Sequence, residues 1–118
     1  MLFRFRNFQV YKAARLFRQE IYKLTAEFPK NEIFNLTSQT RRTANSIMLN
    51  IAESSNRLSD VDFGRFLNTA LTSLEEVVAC LDIALDEKYI SAEKHKEHLT
   101  KTESLGKQLI AFCKKLRG

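Results

Sequence analysis

The sequence has very little in it that breaks a helix. Its 118 residues include one proline, Pro29, and three glycines, Gly64, Gly106 and Gly118. That scarcity excludes a turn-rich β fold and permits long helices. Tryptophan is absent, and the two cysteines, Cys80 and Cys113, are too few for a disulfide-stapled scaffold. No apolar run approaches the roughly 20 residues of a membrane span. Arginines interrupt the apolar residues from position 4 onward, which excludes a signal-peptide core in the opening residues. The expectation is a cytoplasmic chain that does not engage a membrane.

What is present is apolar residues at helical spacing. They make up 44% of the chain, enough for the core of one domain of this length. Val10, Ala13 or Ala14, Phe17, Ile21, Leu24 and Phe28 recur at steps of three and four, which predicts a helix over about 8–27 with one buried stripe. Pro29 closes it, because the residue before proline is pushed out of the helical region. Leu36, Thr40, Ala44, Ile47, Ile51 and Leu58 predict a second helix over about 35–57. A third, over 59–87, starts at Ser59 as N-cap with Asp60 and Asp62 in its first turn. Its stripe is Phe63, Phe66/Leu67, Ala70, Leu74, Val77/Val78, Leu81 and Leu85, and Lys88-Tyr89-Ile90 ends it. Ser91 caps a fourth helix over 91–116, with Leu99, Thr102, Leu105, Leu109, Phe112 and Leu116 inside. All three connections are short. The predicted fold is therefore all-α, a single domain forming an antiparallel up-down-up-down four-helix bundle.

Charge is distributed unevenly. The net charge is +5; residues 1–30 carry seven basic and two acidic side chains, residues 59–90 two and seven, and residues 91–118 seven and three. The third helix is thus acidic and the first and last are basic. Arg4, Arg6, Lys12, Arg15, Arg18 and Lys23 form one candidate phosphate-binding cluster. Lys107, Lys114 and Lys115, with Lys101 and Arg117 nearby, form another. Few aromatic residues interleave with these cations, so the sequence points to phosphate contacts and not to stacked bases.

A hairpin register follows from a turn near Leu58 and Ser59. It levels Arg42 with Glu76, Ser46 with Ser73, Asn50 with Thr69, and Glu53 with Arg65 or Phe66. Gln39, Arg42, Ser46, Asn50 and Glu53 make a polar stripe on the second helix, and Ser73 and Glu76 face it from the third. The expectation is a hydrogen-bonded seam with an Arg42–Glu76 ion pair, a bond that fixes register more than it stabilises.

Chemistry-bearing motifs are missing. No Gly-rich phosphate loop, nucleophile elbow, Cys-x-x-Cys or His-Glu-x-x-His occurs. His95 and His98 lack the Glu-x-x-His pattern of a di-iron bundle and read as helix surface. Cys113 falls level with about Leu67, roughly 20 Å from Cys80, so both cysteines read as core packing. No catalytic residue, cofactor or metal is expected.

Several segments fall in the order and spacing of a known family: Phe28-Pro29…Glu32, Leu36-Thr37-Ser38-Gln39…Arg42, Ser46-Ile47…Asn50-Ile51-Ala52-Glu53, Phe66-Leu67…Ala70 and Ser73-Leu74…Glu76. With Phe8-Gln9-Val10-Tyr11-Lys12-Ala13 and Tyr89-Ile90, the chain resembles the four-helix bundle proteins encoded by intervening sequences in bacterial large-subunit ribosomal RNA genes. The accessory variability determinant of diversity-generating retroelements is similar to these. Met48, Ser54 and Thr72 stand where family members commonly carry proline, glycine and glycine. The resemblance implies a homopentamer with a basic surface, without catalytic residues. In the retroelement branch it implies binding to nucleic acid and to a reverse transcriptase. The expected function is a non-enzymatic oligomeric bundle that binds RNA or DNA. The alternative is a protein-interaction scaffold that uses the acidic third helix.

Overall fold

The computed structural model describes residues 2–56 and 60–116, without the side chains of Asp60, Val61 and Leu116. It contains α1 (Gln9–Thr25), α2 (Leu36–Ser54), α3 (Asp60–Asp86) and α4 (Ala92–Leu116), with 3-10 turns at Arg4–Asn7 and Lys30–Glu32. Leu58, the Ser59 cap, Arg57, Arg117 and the side chains of Asp60 and Leu116 lie outside the described residues. Contacts join α1 to α2, α2 to α3, α3 to α4 and α4 to α1, with no diagonal pair among the described residues. This is the up-down-up-down bundle, 44 × 23 × 20 Å in extent.

The apolar stripes account for the core. Ile21, Ile47, Ile51, Leu67, Val77, Leu81 and Leu109 are fully buried. Burying each such side chain contributes about 2 kcal/mol. Phe8, Phe63 and Phe112 close one end, with ring centroids 5.0–6.5 Å apart. Cys80 belongs to the core and Cys113 packs against it. Threonines stand within the stripes too. Thr25, Thr40, Thr43 and Thr102 are buried, and each hydroxyl donates to the carbonyl four residues back, at 2.6–2.8 Å. A buried hydroxyl satisfied inside its own helix avoids most of its desolvation cost.

Two expectations are corrected. α1 and α2 are shorter than 8–27 and 35–57, because the chain already leaves the helix at Ala26 ahead of Pro29 and ends α2 at Ser54. His98 is not surface. It is 5% exposed, and its Nδ1 donates to the Lys94 carbonyl at 2.8 Å. His95 reaches Asp82 on α3 at 2.8 Å. α2 runs unbroken through Met48, and Ser54 is buried with its hydroxyl on the Ile51 carbonyl. Thr72 is exposed at the mouth of a cleft between α3 and α4.

The α3–α4 turn stores strain. Lys88 has a φ of 62°, in the left-handed region that favours glycine. The Tyr89 amide donates to Ala84 O at 2.8 Å and the Lys88 amide to Leu85 O at 2.9 Å, the double bond of a Schellman cap. Lys88→Gly is expected to stabilise the protein by about 1 kcal/mol, raising the melting temperature by roughly 4 °C. An unchanged or lower melting temperature would show that the lysine is unstrained there. Ser91 then caps α4, its Oγ accepting from the Lys94 amide at 3.1 Å.

Glu32 ties both connectors at this end together. Its carboxylate accepts from the Tyr89 hydroxyl at 2.6 Å, from Asn35 Nδ2 at 2.9 Å and from the Leu36 amide at 3.4 Å. The Tyr89 bond is the main cause that holds Glu32 below its ordinary 4.5, and it pushes Tyr89 up from 10.0 to about 12. A lowered carboxylate pKa stabilises the fold above its unfolded value and is lost as pH falls. A raised phenol pKa stabilises it below its unfolded value and is lost as pH climbs. Tyr89→Phe is therefore expected to lower the melting temperature most between about pH 5 and 10, with the gap to wild type closing on both sides. Thermal melts across pH would reveal this, and a pH-independent gap would contradict it.

Candidate nucleic-acid interface

The charged side chains of α1 and the turn after it fall into three rows by helix geometry, at about 100° per residue. Lys12 and Lys23 lie on the exposed crest. Glu20 and Glu27 face α4, where Lys101 reaches Glu20 at 3.0 Å and Lys94 reaches Glu27 at 2.6 Å. Lys101 also meets Glu97 at 3.2 Å, and Lys107 meets Glu103 at 3.5 Å. Hydrogen bonding from Lys101 holds Glu20 below the usual carboxylate range, and the bond to Glu20 raises Lys101. The α1–α4 side is thus largely neutralised by its own carboxylates.

The row facing α2 differs. Tyr11, Arg15, Arg18 and Tyr22 share one face of α1 at helical spacing. Arg6, Tyr11, Arg15, Arg18, Gln19 and Met48 line one open cleft. Tyr22, Ile33, Phe34, Thr37, Ser38, Arg41, Arg42 and Asn45 line the next one along the groove. Neither lining includes an Asp or Glu among the described residues. Five arginines, three exposed and two half-buried, therefore line one groove without a carboxylate in its lining, which concentrates positive potential there.

Part of this groove is held rigidly. The Arg18 guanidinium lies 4.1 Å from the Tyr22 ring centroid and that of Arg41 lies 4.6 Å from it. Arg18 Nε donates to Asn45 Oδ1 at 2.6 Å, and Asn45 Nδ2 donates to the Tyr22 hydroxyl at 3.0 Å. Arg41 Nε donates to Thr25 Oγ1 at 2.8 Å and Arg41 Nη2 to the Tyr22 carbonyl at 3.3 Å. Planar guanidinium groups fixed by stacking lose little freedom when they take up a phosphate.

The sequence candidates are scattered by comparison. Arg6, Arg15 and Arg18 meet in one cleft. Arg4 is turned to the Ser55 carbonyl at 3.1 Å. Lys114 and Lys115 are exposed in the last turn of α4. In the α2–α3 seam, Ser73 Oγ lies 3.1 Å from Ser46 Oγ, and Asn50 turns back onto Ser46. Gln39 and Glu53 are exposed. The expected Arg42–Glu76 pair does not form: Glu76 Oε2 lies 3.4 Å from Thr43 Oγ1, while Arg42 is exposed and lines the groove. The sparse aromatic character read from the sequence is also corrected, because Tyr11, Tyr22 and Phe34 all stand among the groove arginines. Periodicity alone does not single out Arg41, Tyr22, Asn45 or Phe34. The clue to the first three is pairing at one-turn spacing, 18 with 22 and 41 with 45.

Among the described residues, no three His, Cys, Asp or Glu side chains could hold a metal ion, and no helix is long and apolar enough to cross a membrane.

A family model described as 23S rRNA-intervening sequence protein matches residues 6–111, a stretch that includes the whole groove. A solved structure from Bacteroides thetaiotaomicron, a protein with unknown function from the S23 ribosomal protein family, is 26% identical. The match covers 89% of this chain and 95% of that one, with a TM-score of 0.81. No curated protein matches the chain.

Proposed function

We infer that this chain, which belongs to the 23S rRNA-intervening sequence protein family, is a non-catalytic oligomeric bundle that binds nucleic acid through its α1–α2 groove. The observation that carries this reading is the groove itself, where five arginines line two successive clefts without an acidic residue. Elsewhere Lys94, Lys101 and Lys107 of α4 are paired with carboxylates, whereas the arginines gather along one groove whose lining holds none. Each phosphate engaged adds roughly 0.9 to the slope of log affinity against log salt on a duplex. The ring expected from the family resemblance, a homopentamer, would repeat the groove on every copy. The context is RNA of a ribosomal RNA gene, or a reverse transcriptase as partner in the manner of the accessory variability determinant.

Titration of structured RNA and duplex DNA at rising salt tests the reading, with light scattering on the same sample. Binding that weakens steeply with salt and a mass of several protomers are expected. No binding at low salt would overturn the nucleic-acid role, and a monomer would overturn the ring.

A second reading has its own support. Glu75, Glu76, Asp86 and Glu87 are exposed along α3 with Ile83, which is 48% exposed. An acidic face with an apolar centre suits a protein partner. Nuclease-resistant co-purification of a protein, lost on charge reversal at Asp86 and Glu87, would favour this scaffold over the groove.

A further inference from the structure

Phe34 is 95% exposed. Leaving a whole phenyl ring in water forgoes the stabilisation that its burial would bring. The ring is nevertheless carried on a well-anchored segment. The Glu32 amide donates to Pro29 O, Ile33 to Lys30 O and Asn35 to Glu32 O, at 2.9–3.2 Å. The Glu32 carboxylate clamps the following Asn35 and the first residue of α2. Phe34 is therefore an aromatic residue presented on a braced turn.

Its surroundings indicate what would cover it. Phe34, Ser38 and Arg42 line two adjoining clefts. One holds Arg41, Asn45 and Tyr22. The other holds Glu32, whose carboxylate is already committed to Tyr89 and Asn35. Beside one ring-sized apolar face thus stand two guanidinium groups and neutral hydrogen-bonding side chains. That is the complement of one nucleotide: a flat base, an anionic phosphate and polar edges. A protein contact would call for a wider apolar surround, and of the other apolar residues lining these two clefts Ile33 and Ile83 are about half exposed while Leu36 and Cys80 are buried.

We propose that Phe34 is a stacking platform for an unpaired nucleobase, with Arg41 and Arg42 holding its phosphate. This rests on the reading of the groove as a nucleic-acid interface and adds a preference for single-stranded or looped segments over continuous duplex. A base inside a duplex keeps both faces stacked and cannot cover the ring.

The chain has no tryptophan, so Phe34→Trp creates a single fluorescent reporter at the site. An RNA strand of about 12 nucleotides, its duplex and the same-sequence DNA strand serve as probes. Both single strands are expected to quench the Phe34→Trp emission, since base and phosphate chemistry is common to them, and the duplex is not. Phe34→Ala is expected to bind the RNA strand about tenfold more weakly, with duplex affinity and melting temperature unchanged. Equal affinities of wild type and Phe34→Ala for the strand, or quenching by the duplex as well, would overturn the platform. So would emission that changes with protein concentration alone, which would assign the ring to a second copy. If wild type binds, and binding is lost only on charge reversal of the groove arginines, the groove reading stands and the platform falls. If wild type binds nothing, both fall.

Discussion

Reversing Arg6, Arg15 and Arg42 together to glutamate is expected to weaken nucleic-acid binding by at least about a hundredfold near 100 mM salt, and to flatten the salt slope by about three. All three side chains are exposed, so the fold should tolerate the change, each replacement costing within about 0.5 kcal/mol. The matched control is Lys107, Lys114 and Lys115 to glutamate. It removes as much formal charge, but Lys107 already sits beside Glu103 at 3.5 Å, and none of the three lines the groove. That variant should bind within about threefold of wild type. Anisotropy titrations of both proteins decide the matter. Equal losses would mean that net charge, and not the groove, governs affinity.

The second large effect concerns stability. Arg41→Ala is expected to cost about 2 kcal/mol, lowering the melting temperature by roughly 8 °C. The substitution removes two hydrogen bonds from a charged donor, to Thr25 and to the Tyr22 carbonyl, and the guanidinium stacked on Tyr22. Thr25 keeps its bond to Ile21 O at 2.8 Å, which limits the loss. Arg41→Lys should not restore wild-type stability, because one ammonium cannot serve both acceptors and stack as a plane does. Arg42→Ala, next to it in sequence but exposed, should melt within a few degrees of wild type. Matched thermal melts of the three variants test this; indistinguishable curves for Arg41→Ala and Arg42→Ala would refute it.

The contrast between Arg41 and Arg42 shows where sequence reading reached its limit. Helices were legible because Val10, Ala14, Phe17, Ile21 and Leu24 repeat at a period that only one backbone shape satisfies. The same period assigns Arg42 to a polar stripe but does not say which neighbouring helix that stripe meets. A register drawn across α2 and α3 suggests a pair with Glu76, whereas Arg42 is exposed where the α1–α2 groove adjoins a cleft reaching Cys80 and Ile83 of α3, an exposure that no hairpin count addresses. Arg41 lies between Thr40 and Arg42 with no periodic mark of its own. Its partners, Tyr22 and Thr25, come from another helix. Phe34 falls in the turn before α2, where periodicity has nothing to say about exposure. His98 was within reach: steps of four, three and four lead from it to Thr102, Leu105 and Leu109, all of them buried. The stripe read for the fourth helix begins at Leu99 and so omits a histidine whose ring satisfies itself on its own helix.

The bundle is closed differently at its two ends. One is plugged by Phe8, Phe63 and Phe112, the other is clipped by the Glu32–Tyr89 bond and capped at Lys88. Aromatic burial weakens on cooling, because its driving force is largely entropic near room temperature. The clip weakens at the extremes of acidity, and temperature alone does not titrate it. The two ends of one rod therefore respond to different variables, so cold loosens the aromatic plug first and alkali loosens the end where Phe34, Arg41 and Arg42 stand.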